Sequence, residues 1–143
     1  ELRVARDRLS TTDDEGLRTV SLGTPHYSVA QMGRLVELLG DRRVHERVAV
    51  YASTGRDVLH EVELRGWVDR LTAAGVQLVT DTCTYFTSII KDTSRTTMTD
   101  SAKWAYYAPG NLGVEVVFGS VEDCVESAVA GRVVRDEGLW ANA

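Results

Sequence analysis

The chain has 143 residues, a formal net charge of -5 and an ordinary share of hydrophobic and charged residues. That length suits one domain with a real core and no need of staples. The acidic balance excludes a general nucleic-acid or membrane-surface binder, since phosphate groups need a basic face. No run approaches the ~20 apolar residues of a membrane span, and the start lacks a charged-then-apolar signal segment. The two cysteines, Cys83 and Cys124, are too few for a disulfide framework, so reduced thiols and a cytoplasmic setting are expected.

In chain order, the polar opening reads as a helix around Leu2–Leu9, and Thr19–Leu22 as the first strand. Leu22-Gly-Thr-Pro-His-Tyr-Ser28 follows and reads as a loop. Ser28 and Gln31 have capping-box spacing. Val29, Met32, Leu35, Val36 and Leu39 then recur at helical spacing up to Gly40. Val48–Ala52 is a continuous apolar run, as expected of a buried parallel strand. Ser53-Thr54-Gly55 turns the chain into a helix from Arg56 to Leu64, and Gly66 breaks it from a second piece, Trp67–Ala74, which ends at Gly75.

Val76–Thr80 is the third strand, followed by Asp81-Thr82-Cys83. Residues 84–95 read as a loop with a turn at Ser88–Lys91, and Thr96–Met98 as a short strand. Asp100 or Ser101 caps a helix through Tyr107 that Pro109-Gly110 ends. Val114–Phe118 is the last clear strand, and Ser120 opens a final helix that Gly131 closes. The tail from Arg132 carries Trp140, a candidate for docking on the body.

This alternation predicts a single α/β domain over residues 1–143. It would have three layers and a mostly parallel, Rossmann-like sheet of about four to five strands. Right-handed crossovers place every strand's carboxyl end on one edge. The polar clusters after the strands should therefore converge there, as in a ligand site.

His26 is a candidate base, metal ligand or carboxylate partner, or a loop histidine bonded to backbone. His45 and His60 read as surface residues. Cys83, flanked by Asp81, Thr82 and Thr84, is a candidate nucleophile or metal ligand, or else a buried inert thiol. Cys124, with Val121, Val125 and Ala128 nearby, reads as core packing. Lys103, early in its helix, opposes the macrodipole, which an anionic ligand would offset; the alternative is a solvated side chain. Arg56 raises the same question. No Ser-His-Asp set, phosphate-binding glycine loop, CxxC or HExxH pattern is present.

Gly23-Thr-Pro-His26 before a capped helix, then Asp81-Thr-Cys83, then Thr99-Asp-Ser-Ala-Lys103 with Tyr106-Tyr107-Ala108-Pro109, then Phe118-Gly-Ser120, in that order, resembles the aconitase X family. The likeness runs from about Val20 to Ala130. It implies the C-terminal part of the family's large catalytic subunit, whose full proteins also carry a small swivelling domain, fused or separate. It further implies a hydro-lyase that removes water from a small hydroxy acid, such as cis-3-hydroxy-L-proline or mevalonate 5-phosphate, with an iron–sulfur cluster as Lewis acid.

Under that resemblance Cys83 is the cluster-ligand candidate, with Cys124 a distant second. His26, Ser101 and Lys103 are the catalytic candidates. Thr24, Ser28, Ser53, Thr54, Arg56 and Asp100 are the substrate-binding candidates. Two positions depart from the family pattern, which commonly has Cys at Thr24 and Asn at Asp100. Thr is a poor replacement for a thiolate. A cluster held by three thiolates then needs ligands from outside this chain, or is of another type, or has been lost. Two other readings stand beside the dehydratase: a module that binds a carboxylate or phosphate without chemistry, and an assembly domain of a larger enzyme.

Overall fold

The computed structural model describes residues 17–80, 96–102, 105–106 and 115–134, the side chains of Thr24, Pro25 and Glu115 excepted. Its elements are β1 (Leu17–Tyr27), α1 (Val29–Leu39), β2 (Ala49–Thr54), α2 (Arg56–Leu64), α3 (Trp67–Ala74), β3 (Val76–Thr80), β4 (Thr96–Thr99), β5 (Glu115–Phe118) and α4 (Val121–Ala130). The expected elements at Leu2–Leu9, Ser88–Lys91 and Pro109-Gly110, and Trp140, lie outside the described residues.

Local chemistry sets the helix ends. The Ser28 hydroxyl accepts the Gln31 N–H while the Gln31 side chain accepts the Ser28 N–H, the capping box expected from the sequence. The apolar face of α1 then buries Met32, Leu35, Val36 and Leu39. Left-handed Gly66 and Gly75 bracket α3. Ser120 caps α4 by accepting the Asp123 N–H, and left-handed Gly131 ends it.

All five strands are parallel, in the order β3-β2-β1-β4-β5. Val76, Val50, Val20, Met98 and Val117 form one row across the sheet. Strand alternation puts this row and Leu22 on one face. That face packs on Leu35 and Leu39 of α1 and on Cys124, Val125 and Ala128 of α4, leaving a void of only about 10 Å³. The opposite face presents Thr19, Ser21, Ser53, Thr97 and Thr99, all buried. Among the described residues, no helix is long and apolar enough to cross a membrane.

Two expectations need correction. β1 does not stop at Leu22 but runs on to Tyr27, because the chain re-pairs with β2 beyond an irregularity. His45 is half-buried rather than a surface residue. Its N–H donates to the Ala128 carbonyl, and its ring lies so close to Gly131 that a Cβ there would come within 2.6 Å.

Candidate active site

The strand order reverses between β1 and β4. The crevice outside the carboxyl ends at such a reversal is where open parallel sheets bind ligands. At this point β1 bulges. Leu22 pairs with Ala52 and Tyr27 with Thr54, so the four residues Gly23 to His26 stand against Ser53 alone. A surplus of that kind bows a strand out of its ladder and re-aims its side chains. His26, on the bowed segment, is exposed.

Gly23 makes the bulge possible. Its φ is +77°, and a Cβ there would come within 2.7 Å of the Tyr27 ring and 2.8 Å of the Ser53 carbonyl oxygen. Only a residue without a Cβ meets both demands.

The two ends of the bulge are held by one carboxylate. Asp100, just past β4, accepts the Gly23 N–H at 3.1 Å through Oδ1 and the Tyr27 hydroxyl through Oδ2. The Tyr27 carbonyl in turn accepts the Thr54 hydroxyl at 2.9 Å. Three strand ends are thus tied together. β5 joins them where Gly119 N–H donates to the Thr99 carbonyl at 3.0 Å.

Burial pushes the Asp100 carboxyl above its ordinary range, while the bonds from Tyr27 and Gly23 act against that rise. Burial and the neighbouring Asp100 push the Tyr27 phenol far above its usual value. Tyr27 therefore remains a proton donor throughout the physiological range. Next along the chain, Ser101 is buried, and its N–H donates to the Thr99 hydroxyl at 3.1 Å. Its carbonyl accepts the Ala105 N–H at 2.9 Å, starting the expected helical turn.

The structure brings His26, Ser53, Thr54, Asp100 and Ser101 to this edge, at the ends of β1, β2 and β4. The Ser53 hydroxyl is buried without a hydrogen-bond partner beside the bulge. Ser28 uses its hydroxyl to cap α1, and Arg56 is exposed at the start of α2. Cys124 packs in the core beside Leu22 and Leu35. Lys103, Cys83 and the Thr24 side chain lie outside the described residues. Sequence reasoning passed over Tyr27 and Gly23 as functional residues. The available signal was a tyrosine and a glycine flanking a short polar stretch after a strand.

The described residues do not include Cys83, the candidate cluster ligand. They contain no group of three or more His, Cys, Asp or Glu side chains placed to hold a metal. Of the chain's two cysteines, Cys124 is committed to the core. This chain therefore offers a cluster at most one thiolate, Cys83.

The fold and the edge define an open, parallel α/β domain with a polar site at its strand-order reversal. Residues 17–130 match the model of the aconitase X third domain, and the chain belongs to the aconitase X family. It is 39% identical over 148 residues to cis-3-hydroxy-L-proline dehydratase of Pseudomonas aeruginosa, a match covering 97% of this chain and 26% of that protein. It is 32% identical over 114 residues to the phosphomevalonate dehydratase large subunit of Methanothermobacter thermautotrophicus, covering 80% of this chain and 28% of that protein. The crystal structure of Thermococcus kodakaraensis aconitase X in its holo-form has the same fold, with a TM-score of 0.75 at 22% identity over 89% of this chain and 32% of that one. The chain thus spans about a quarter of the length of the curated relatives it matches.

Proposed function

We propose that this chain is the C-terminal portion of the catalytic region of a hydro-lyase that dehydrates a small hydroxy acid, cis-3-hydroxy-L-proline or a close analogue. The observation that carries this reading is the 39% identity to a cis-3-hydroxy-L-proline dehydratase across nearly the whole chain. Identity to the phosphomevalonate enzyme is lower and covers less of the chain.

Loss of water from such a substrate requires a base for the carbon-bound proton and a proton or positive charge for the departing hydroxyl. His26, exposed on the bulge, is the proposed proton-moving group, with Ser101 at the neighbouring strand end and Lys103 two residues further on. The substrate carboxylate is assigned to Arg56 and to the Thr24 hydroxyl, and the buried Ser53 hydroxyl stands behind them at the end of β2. Thr54 and Ser28 serve the local architecture through their bonds to the Tyr27 carbonyl and the α1 amino end.

The iron–sulfur cofactor implied by the family resemblance would take Cys83 from this chain and its other ligands from the remainder of the large domain. A small swivelling domain or subunit would complete the enzyme. The proposed compartment is the cytoplasm, in keeping with two cysteines and no disulfide framework.

The test is a substrate panel with the complete protein. Turnover of cis-3-hydroxy-L-proline well above that of its trans isomer and of mevalonate 5-phosphate supports the reading. Preference for the phosphorylated acid moves the assignment to the other branch, and dehydration of none of them contradicts it.

A further inference from the structure

We infer that Asp100 is a positioning residue: it clamps both ends of the β1 bulge and so fixes where His26 stands, without itself touching substrate. The activity part of this inference rests on the dehydratase reading above; the clamp itself rests on geometry.

Four residues of β1 oppose one residue of β2. The β1–β2 ladder therefore leaves the backbone between Gly23 and His26 without register. A pair of hydrogen bonds ties the segment at its ends. Asp100 supplies both, one oxygen to the Gly23 N–H and the other to the Tyr27 hydroxyl. With each oxygen already engaged by Gly23 or Tyr27 and the side chain part-buried, the carboxylate serves the bulge before any substrate group.

The Tyr27 backbone is braced from the far side by the Thr54 hydroxyl on its carbonyl, while its phenol is held by Asp100. The Gly23 end has no side chain to brace it, and a Cβ would collide with the Tyr27 ring. Asp100 acts there on the backbone directly. The clamp also spans the strand-order reversal, joining β1 to the loop after β4. A shift between those strand ends would be passed to the bulge, and so to His26, by this side chain.

An asparagine would keep the clamp. Its carbonyl oxygen accepts the Gly23 N–H, and its amide donates to the Tyr27 oxygen. An alanine releases both ends.

The experiment compares Asp100→Ala, Asp100→Asn, Tyr27→Phe and the Asp100→Ala/Tyr27→Phe double variant in the complete protein. Kinetics are measured alongside amide hydrogen exchange of peptides covering residues 22–28. Misplacing a catalytic group by about 1 Å costs on the order of 100-fold. Asp100→Ala should accordingly lower kcat by roughly 10–100-fold with KM nearly unchanged, and Asp100→Asn should restore most of that loss. Tyr27→Phe should add little in the Asp100→Ala background, since the one bond it removes is already lost there.

Exchange over residues 22–28 should accelerate in Asp100→Ala and stay slow in Asp100→Asn, with β2 unchanged in both. Additive effects of the two substitutions, or a rise in KM alone, would mean direct substrate contact and overturn the inference. So would unaltered exchange in Asp100→Ala. Should Asp100→Ala fail to fold, Tyr27→Phe, which frees the phenol end, should accelerate exchange over residues 22–28 while Asp100→Asn keeps it slow, and unaltered exchange in Tyr27→Phe would overturn the inference. A wild-type protein that folds but does not dehydrate the substrates sinks the functional reading alone, and the exchange arm still decides the clamp.

Discussion

The Tyr27 hydroxyl donates to Asp100, 73 residues later in the chain, and their bond crosses the point where the strand order reverses. Through it the ends of β1 and β4 act as one edge, with Gly23 held by the same carboxylate. The candidate site is therefore built on a tertiary contact between two strand ends and not on one loop.

Gly23→Ala should be among the most damaging single substitutions in the described chain. The new Cβ meets both the Tyr27 ring and the Ser53 carbonyl below 3 Å, at a backbone φ of +77°. Strain of a left-handed non-glycine residue and overpacking each cost about 1–3 kcal/mol. A loss of about 2–6 kcal/mol is expected, measured by urea unfolding of the complete protein. A loss below about 1 kcal/mol would show that the bulge can relax.

The Asp100 carboxyl predicts a pH dependence with a definite sign. Burial raises it above its ordinary value of 3.8 in the folded state, so the folded protein holds that proton more tightly than the unfolded chain. Its contribution to stability is fully present below the unfolded value and is lost as pH rises through the raised folded value. The unfolding free energy of wild type relative to Asp100→Asn should fall across that window and then level off. Tyr27→Phe removes a bond that holds this carboxyl down and should extend the window to higher pH. Urea titrations at stepped pH read both effects, and a difference curve that rises with pH would contradict the assignment.

The surface pair Arg42–Glu126 should matter much less, despite two bonds of 3.0 and 2.9 Å. Both side chains are roughly half exposed, and solvent screens such pairs to about 1 kcal/mol or less. The Arg42 bond lowers the Glu126 carboxyl. The small stabilisation is therefore present above the ordinary carboxylate range and lost as pH falls through the lowered value. Glu126→Gln should cost under about 1 kcal/mol at neutral pH, and less in high salt, when followed by thermal unfolding.

The two cysteines should separate cleanly. Cys124 is fully buried in the core, so Cys124→Ala should cost about 1–3 kcal/mol of stability and leave iron content intact. Cys83→Ala should remove iron and sulfide from the reconstituted complete protein. Iron retained by Cys83→Ala would show that the ligand assignment is wrong.

Much of the fold is local and was legible. The spacing of Ser28 and Gln31, the glycines at 66 and 75, and the apolar runs gave α1, α2, α3 and β3 at or within a residue of their observed bounds, because caps and periodicity act over a few neighbours. β1 was read too short because Gly, Thr, Pro and His in succession have the composition of a turn. Only re-pairing with β2 beyond the bulge makes that stretch part of a strand. Asp100 was legible as a site residue, yet its partners were not. They depend on β1 lying beside β4, which no local pattern encodes. The same holds for His45, whose burial is decided by the end of α4.

The most direct measurement is to incubate the complete protein, reconstituted with iron and sulfide, with cis-3-hydroxy-L-proline and to follow the substrate mass. Loss of one water per molecule, abolished in His26→Ala while that variant still folds, is the predicted result. A folded, reconstituted protein that leaves cis-3-hydroxy-L-proline unchanged would contradict the account.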